Sequence, residues 1–252
     1  PFIVSGADTQ CAVAGSGANV EDIVIVSGTT TPLVRVLDRH TSDPRQRCWI
    51  DCHIRDGQYL LESNAGVTGL NLQRFKAAFL PRASYENMDR HIGAKRSASV
   101  CASLGTLVFW ERRLLANGGF QFAAPLAQDM DRYDFVLAIA NDIAFSIAAN
   151  YENLMKIYPK KTPKLIGCGG GLQLRHICQT VADVTNMPFH LPVGFRQASL
   201  MGCRAICMHA LGRDTQVPRI HMEYLPSPRR AEQMERYAAW NAYRSALNRG
   251  SI

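Results

Sequence analysis

An α/β fold is predicted by three features of the sequence. Short apolar runs alternate with helical patterns, several of those runs end in small-residue turns, and residues 164–192 spell out strand, glycine-rich turn, helix and strand, a βαβ unit. Taken in order, residues 2–5 read as a strand and 9–18 as a helix weakened by Gly15 and Gly17. Strands are expected at 23–26 and 33–37, then an extended pair at 49–54 and 59–62 joined through Asp56-Gly57, a dipeptide suited to a tight hairpin turn. Residues 64–70 read as a glycine-broken loop that opens a helix over 71–79. From 82 to 122 the pattern carries little information, with helix assigned only to parts of 85–103. Phe135, Ile139, Ile143 and Ile147 recur every four residues and predict a long core helix over 130–157, ended by Pro159 and Pro163. A strand at 164–167, a helix at 172–186 and a strand at 189–192 form the βαβ unit, and helices over 198–211 and 229–247 complete the chain.

With 252 residues, 47% of them hydrophobic, the chain can bury a sizeable core as one large domain. Its longest apolar runs fall far short of the roughly 20 residues that cross a bilayer, so no membrane partner is expected. Pro1-Phe2-Ile3-Val4 offers no basic leader, so a cytoplasmic location is expected, and the first residue is expected to lie inside a longer reading frame. Eight cysteines are scattered through a chain too large to need stapling and read as free thiols. Cys48, Cys52 and His53 are the sharpest zinc alternative, but Trp49 and Ile50 between the cysteines fit alternating strand faces better. Cys203 and Cys207, one helical turn apart, read as packing residues, and no residue is assigned to a metal.

The net charge of +7 favours anionic partners in general. The basic residues fall in small clusters (Arg45 with Arg47, Arg112 with Arg113, Lys156 to Lys164, Arg229 with Arg230) without interleaved aromatics, so nucleic acid is not expected.

Three short stretches carry chemistry. Ser5-Gly6-Ala7-Asp8-Thr9-Gln10 would leave Asp8 at a strand's carboxyl edge, where it can take the proton of an attacking hydroxyl; as a bland alternative, Asp8 caps the following helix. Ser27-Gly28-Thr29-Thr30-Thr31 follows an apolar strand and combines a glycine with hydroxyls that can donate to phosphate oxygens, although a plain hairpin turn would look much the same. Gly167-Cys168-Gly169-Gly170-Gly171 lies between a strand and a helix, where absent side chains would let a nucleotide approach the backbone. That segment is neither a Walker A loop, since it lacks the lysine, nor GxGxxG.

In this order the three stretches resemble the C-terminal half of the FGGY carbohydrate kinases, over nearly the whole chain. Glu62-Ser-Asn-Ala-Gly-Val-Thr-Gly69, Gln179-Thr-Val-Ala-Asp183-Val-Thr and Ala198-Ser-Leu-Met-Gly-Cys-Arg-Ala205 add to the likeness, and Gly118-Gly119-Phe120 is most similar to the autoinducer-2 kinase branch. The chain departs from the pattern at Asn141-Asp142, where the family usually has a glutamate, and over 104–113, which lacks Gly-Glu-Arg-Pro.

The resemblance implies an RNase H-like, actin-like domain with a mixed central sheet flanked by helices, spanning 1–252. It implies a kinase that moves the γ-phosphate of Mg-ATP to a sugar or polyol hydroxyl, with Asp8 as general base and Thr9 and Gln10 orienting the sugar. Gly28, Thr29 and Thr30 would cradle the γ-phosphate, and Gly169, Gly170, Gly171 and Gln173 would face the rest of the nucleotide. An N-terminal kinase domain with the first phosphate loop is implied as partner, since no Asp-x-Gly-Thr segment occurs here, and the chain alone is expected to be inactive. A homodimer is compatible with this reading. The alternatives are a non-catalytic nucleotide- or sugar-sensing homologue, and a nuclease of the same fold, against which stands the expectation that Asp8 has no acidic companions at neighbouring strand ends.

Overall fold

The computed structural model describes residues 2–95, 99–107 and 117–250, with side chains to 248. The expected pattern in 108–113, including Arg112 and Arg113, lies outside the described residues.

The elements in order are α1 (Asp8–Gly15), β1 (Ile23–Val26), β2 (Thr30–Leu37), β3 (Trp49–Cys52), β4 (Tyr59–Val67), α2 (Gly69–Phe79), α3 (Tyr85–Ala94) and β5 (Val100–Ser103). There follow β6 (Gly119–Phe122), α4 (Arg132–Ile157), β7 (Leu165–Cys168), a 3-10 turn (Gly170–Gln173), α5 (Arg175–Thr185) and β8 (Phe189–Pro192). A second 3-10 turn (Phe195–Gln197), α6 (Ala198–Ala210), β9 (Ile220–Tyr224) and α7 (Arg230–Gly250) end the chain. Seven strands form one mixed sheet in the order β3-β4-β2-β1-β7-β8-β9. The central pairs β1–β7 and β7–β8 are parallel and the outer ones antiparallel, so helices are needed on both faces around the parallel centre. No helix among the described residues is long and apolar enough to cross a membrane.

Successive side chains of a strand point to opposite faces, and β4 shows which layer lies where. Ser63 donates to Asn150 of α4 at 2.6 Å, while Glu62, next to it in sequence, lies within electrostatic range of Asp8 at the start of α1. Thus α1 and its partner α6 cover one face, and α4 covers the other with α2, α3 and α5 packed on it. The long helix starts in a capping box in which Asp131 accepts from the Tyr133 amide at 2.7 Å and Asp134 from the Asp131 amide at 2.8 Å. Its middle is buried on nearly all sides. The polar residues there are therefore partnered: Asn150 donates to Leu107 O at 2.8 Å, and Asn153 to Arg47 O at 2.9 Å.

Four sequence expectations need correction. Residues 2–5 form no strand: Phe2 and Val4 are 95% and 79% exposed, so their apolar alternation meets no sheet neighbour to satisfy it. Residues 64–67 are strand rather than loop, because β4 keeps its ladder with β2 as far as the Thr30–Val67 pair, and Gly66 tolerates the φ of +67° that the local irregularity imposes. The helix expected over 172–186 is broken at Leu174, whose extended backbone separates the 3-10 turn from α5. Strands β5, β6 and β9 fall where no period was read; they are four or five residues long and take their conformation from the neighbours they pair with.

One buried knot fastens α7 to the body. The Asp142 carboxylate of α4 accepts from Trp240 Nε1 at 2.8 Å, from Leu104 N at 3.1 Å and from Thr106 Oγ1 at 3.1 Å, and Arg244 reaches Thr106 Oγ1 at 2.9 Å. Burial pushes the Asp142 carboxyl up to about 6 despite these donors and the nearby Arg244 charge. Trp240→Phe should remove one donor from a buried carboxylate, costing about 1–3 kcal/mol, or roughly 2–4 °C in Tm per kcal/mol. Because the lost donor favours the charged form, the Tm deficit measured by calorimetry is expected to be larger at pH 8 than at pH 5, where Asp142 carries its proton.

Candidate functional site

The site begins at the carboxyl ends of β1 and β7, which run parallel in the register Val26–Cys168, so that the turns after both strands leave the sheet side by side. Ser27 N donates to Cys168 O at 2.7 Å and Gly171 N donates to Ser27 O at 2.8 Å, which joins the threonine turn directly to the glycine turn. Gly28 N donates to Thr30 O at 2.9 Å and closes the turn that starts β2. Beneath it, Thr31 Oγ1 lies 3.0 Å from Ser27 Oγ and 2.6 Å from Thr68 Oγ1, three fully buried hydroxyls that satisfy one another. Thr29 O accepts from Thr68 N at 3.1 Å and so fixes the start of α2 against the turn.

The three glycines of the β7 turn have different reasons to be small. A Cβ on Gly169, whose φ is +97°, would fall inside the shell of Ser27 O, and one on Gly171 would press on Ser27 Oγ and lie 3.0 Å from Ser27 O. Both are therefore required by contact within the chain, a reason to be small that the sequence reading did not include. Gly170 is exposed, and a Cβ there would meet only Gln173 Nε2, at 3.9 Å. Gly69 plays the packing part from the other side, because a Cβ on it would overlap Gly28 O.

A cavity of about 190 Å³ opens above these turns, with Gly28, Thr29, Gly170 and Gly171 as its floor and Leu70, Tyr85 and Gln173 as walls. Tyr85 and Gln173 are shared with a larger cleft of about 840 Å³, in which Leu172, Phe195 and Met222 give an apolar surface and Lys76, Arg90, Arg175 and Arg196 a basic rim. Among the described residues, the amides of Thr29 and Gly170 have no hydrogen-bond partner, nor do the exposed hydroxyls of Thr29 and Thr30. Free amides, hydroxyls and a basic rim suit an anionic ligand whose other end is flat or apolar. Gln173 Nε2 donates to Gly170 O at 2.8 Å, so this side chain steadies the turn.

Asp8 lines neither cavity. It is the exposed first residue of α1, its Oδ1 accepts from Thr9 N at 2.7 Å, and its carbonyl accepts from Ser199 Oγ of α6 at 3.1 Å. The helix-start alternative thus holds in part, with Ala7 rather than Asp8 as the capping residue. Gln10 is occupied, since its Nε2 donates to Cys52 O at 2.8 Å and its Oε1 accepts from Ala7 N at 2.9 Å. Thr9 is half-buried beside it.

Glu62, in the interior of β4 rather than at a strand end, lies within electrostatic range of Asp8. The Glu62 carboxyl is pushed up first by burial, and then by the charges of Asp51 and Asp8. Among the described residues, however, no three His, Cys, Asp or Glu side chains gather as a metal site. The cavities lie on the α2–α3–α5 side of the sheet, whereas Asp8 and Glu62 lie on the face covered by α1 and α6. Tyr85 and the basic rim were not legible as site residues, because nothing in the sequence spacing ties 76, 85, 175 and 196 together.

Gly171→Ala is expected to cost about 1–3 kcal/mol by overpacking and to lower Tm in scanning fluorimetry, whereas Gly170→Ala should leave Tm nearly unchanged.

Residues 114–211 match the family model of the FGGY family of carbohydrate kinases, C-terminal domain. The chain is 41% identical over 207 residues to YoaC of Bacillus subtilis (strain 168), provisionally named a sugar kinase, a match covering 81% of this chain and 42% of that protein. It is 25% identical over 217 residues to the autoinducer-2 kinase of Escherichia coli (strain K12), covering 81% and 41%. Among solved structures, Plasmodium falciparum glycerol kinase with ADP superimposes with a TM-score of 0.75 at 15% identity, over 97% of this chain and 50% of that one. Ligand-bound xylulose kinase from Lactobacillus acidophilus gives 0.74 at 16% identity, over 97% and 51%. At these identities the structures speak for the fold, the actin-like one with a mixed sheet flanked by helices. The chain spans 42% of the length of the first of these curated relatives and about half of the solved chains.

Proposed function

We propose, since this chain belongs to the FGGY family of carbohydrate kinases, that it is the nucleotide-binding half of an ATP-dependent kinase acting on a sugar or polyol hydroxyl. The observation that carries this reading is the cavity over Gly28, Thr29 and Gly170, with its unpartnered amides and hydroxyls opening into a cleft of nucleoside size. Thr29 N, Gly170 N and the hydroxyls of Thr29 and Thr30 hold the terminal phosphates, and the nucleoside extends past Tyr85 and Gln173 toward Leu172 and Phe195. The basic rim from Lys76 to Arg196 draws the polyanion in.

In this reading the acceptor sugar approaches on the α1 face of the sheet, where Asp8 stands. Phosphoryl transfer needs attacking and leaving oxygens roughly in line through phosphorus, and an arrangement with nucleotide on one side and base on the other meets that need. Asp8, exposed and held through its backbone by Ser199, takes the proton of the attacking hydroxyl. Magnesium neutralises phosphate charge when the nucleotide is bound, and no residue of this chain is assigned to hold it.

The reading places a second, N-terminal domain opposite this one, in agreement with the share of each relative that the chain spans. The isolated chain then binds nucleotide weakly and does not turn it over. A cytoplasmic location suits the eight free cysteines.

In the two-domain protein, Asp8→Asn is expected to lower kcat by about 10²- to 10⁴-fold while leaving ATP affinity nearly unchanged. Coupled-assay kinetics with a panel of ketoses and polyols, alongside calorimetric ATP binding, reads both. Unchanged turnover would place the base elsewhere, and nucleotide binding without turnover in the unmutated protein would point to a sensing homologue. Gly170→Ala is expected to weaken ATP binding about tenfold, roughly 1.4 kcal/mol, in the same titration.

A further inference from the structure

Helices α1 and α6 touch backbone to backbone. A Cβ on Gly15 would lie 2.5 Å from Gly202 N and would overlap Ala198 O, and one on Gly202 would lie 2.6 Å from the Cys11 carbonyl carbon and 3.0 Å from Cys11 Cα. Only glycine at both positions permits so close a crossing, and the residue after Gly202 is Cys203. Cys11 is buried and its thiol points to Gly6 O at 3.4 Å. Its pKa is raised, first by burial and then by the neighbouring Cys203 thiol.

The sequence suggested that Cys203 is packing, yet α6 buries only Ala198 and Gly202, and Cys203 remains half-exposed. Core filling does not account for a thiol there. Cys203 follows Gly202, which packs on the Cys11 backbone, so the two cysteines flank one helix crossing, and a disulfide there needs Cα atoms about 4.4–6.8 Å apart.

We propose that Cys11 and Cys203 are a redox-closable pair, whose disulfide pins α1 to α6 one helical turn from Asp8. The oxidant is a low-molecular-weight disulfide. The exposed side of Cys203 admits it: the Cys203 thiolate attacks one of its sulfurs, forms a mixed disulfide and releases one small thiolate. Cys11 then loses its proton to water and attacks the Cys203 sulfur, expelling the second small thiolate, which takes up a proton. Two protein thiols are oxidised by two electrons and one small disulfide is reduced to two thiols. Because the bond closes a loop that spans most of the chain, it restricts the unfolded state strongly. The pairing stands independently of the role assigned to Asp8.

The test treats the native chain with oxidised glutathione and maps its peptides without reduction. A Cys11–Cys203 peptide lighter by two hydrogens, reversed by dithiothreitol, is the expected dominant bridge, with Tm higher by about 5–10 °C. Cys203→Ser should abolish both the bridge and the Tm rise, and Cys207→Ser should leave both. A glutathione adduct on Cys203 that persists without ring closure would overturn the proposal. So would a bridge from Cys203 to any other cysteine, or a Cys11–Cys203 bridge that forms only in urea. The unmutated chain alone separates these outcomes, so the proposal is decided even where Cys203→Ser folds poorly.

Discussion

The close approach of the β1 and β7 ends is the constraint on which the rest of the structure depends. Ser27 is clamped from two sides, donating to Cys168 O and accepting from Gly171 N, while Gly169 and Gly171 have no side chains because Ser27 occupies the space. Gly69 makes the matching concession to Gly28 O. With three glycines spent on contact, the turn atoms left over are those facing outward: the amides of Thr29 and Gly170 and the hydroxyls of Thr29 and Thr30. Because this polar cradle hangs on strand ends in the most buried part of the sheet, its geometry is preorganised.

The layers around the sheet divide the labour. On the α4 side, α2, α3 and α5 build the cleft walls, held by a helix several of whose buried polar residues serve as ties, among them Asn150 to Ser63 and Asp142 to Trp240. On the other face α1 carries Asp8, and its position depends on α6, which it meets through glycines rather than through large apolar side chains. A contact of that kind fixes distance closely but buries little area, so it contributes more to placement than to stability. A covalent tie at the same crossing would add to placement what the apolar surface does not.

The sequence revealed the central strands and long helix well, because those elements repeat a hydrophobic period that burial enforces: Ile23–Val26, Leu165–Cys168 and Arg132–Ile157 lie within a residue or two of expectation. It singled out the Thr29 and Gly170 turns, which the structure brings together beside one cavity, because small residues after a strand are visible locally. It did not show that Gly169 and Gly171 are kept small by Ser27, since a glycine kept for a ligand and one kept for a neighbouring backbone look alike in sequence. It gave no hint of Tyr85 or the cationic rim, whose members come from α2, α3, α5 and the turn before α6 and meet only after folding. Asp8 stood out by its motif, but its nearness to Glu62 on β4 depends on how the layers pack, which no local pattern sets.

The central claim is that the turn between β1 and β2 and the open glycine after β7 together cradle a polyphosphate. Amide-resolved NMR of the chain, titrated with a non-hydrolysable ATP analogue, tests it most directly and tolerates weak binding. Shifts concentrated at Thr29, Thr30 and Gly170, fading through Gln173 and Tyr85 and absent from α7, are expected. If those amides stay still at concentrations that move others, the phosphates bind elsewhere and the cradle assigned here is wrong.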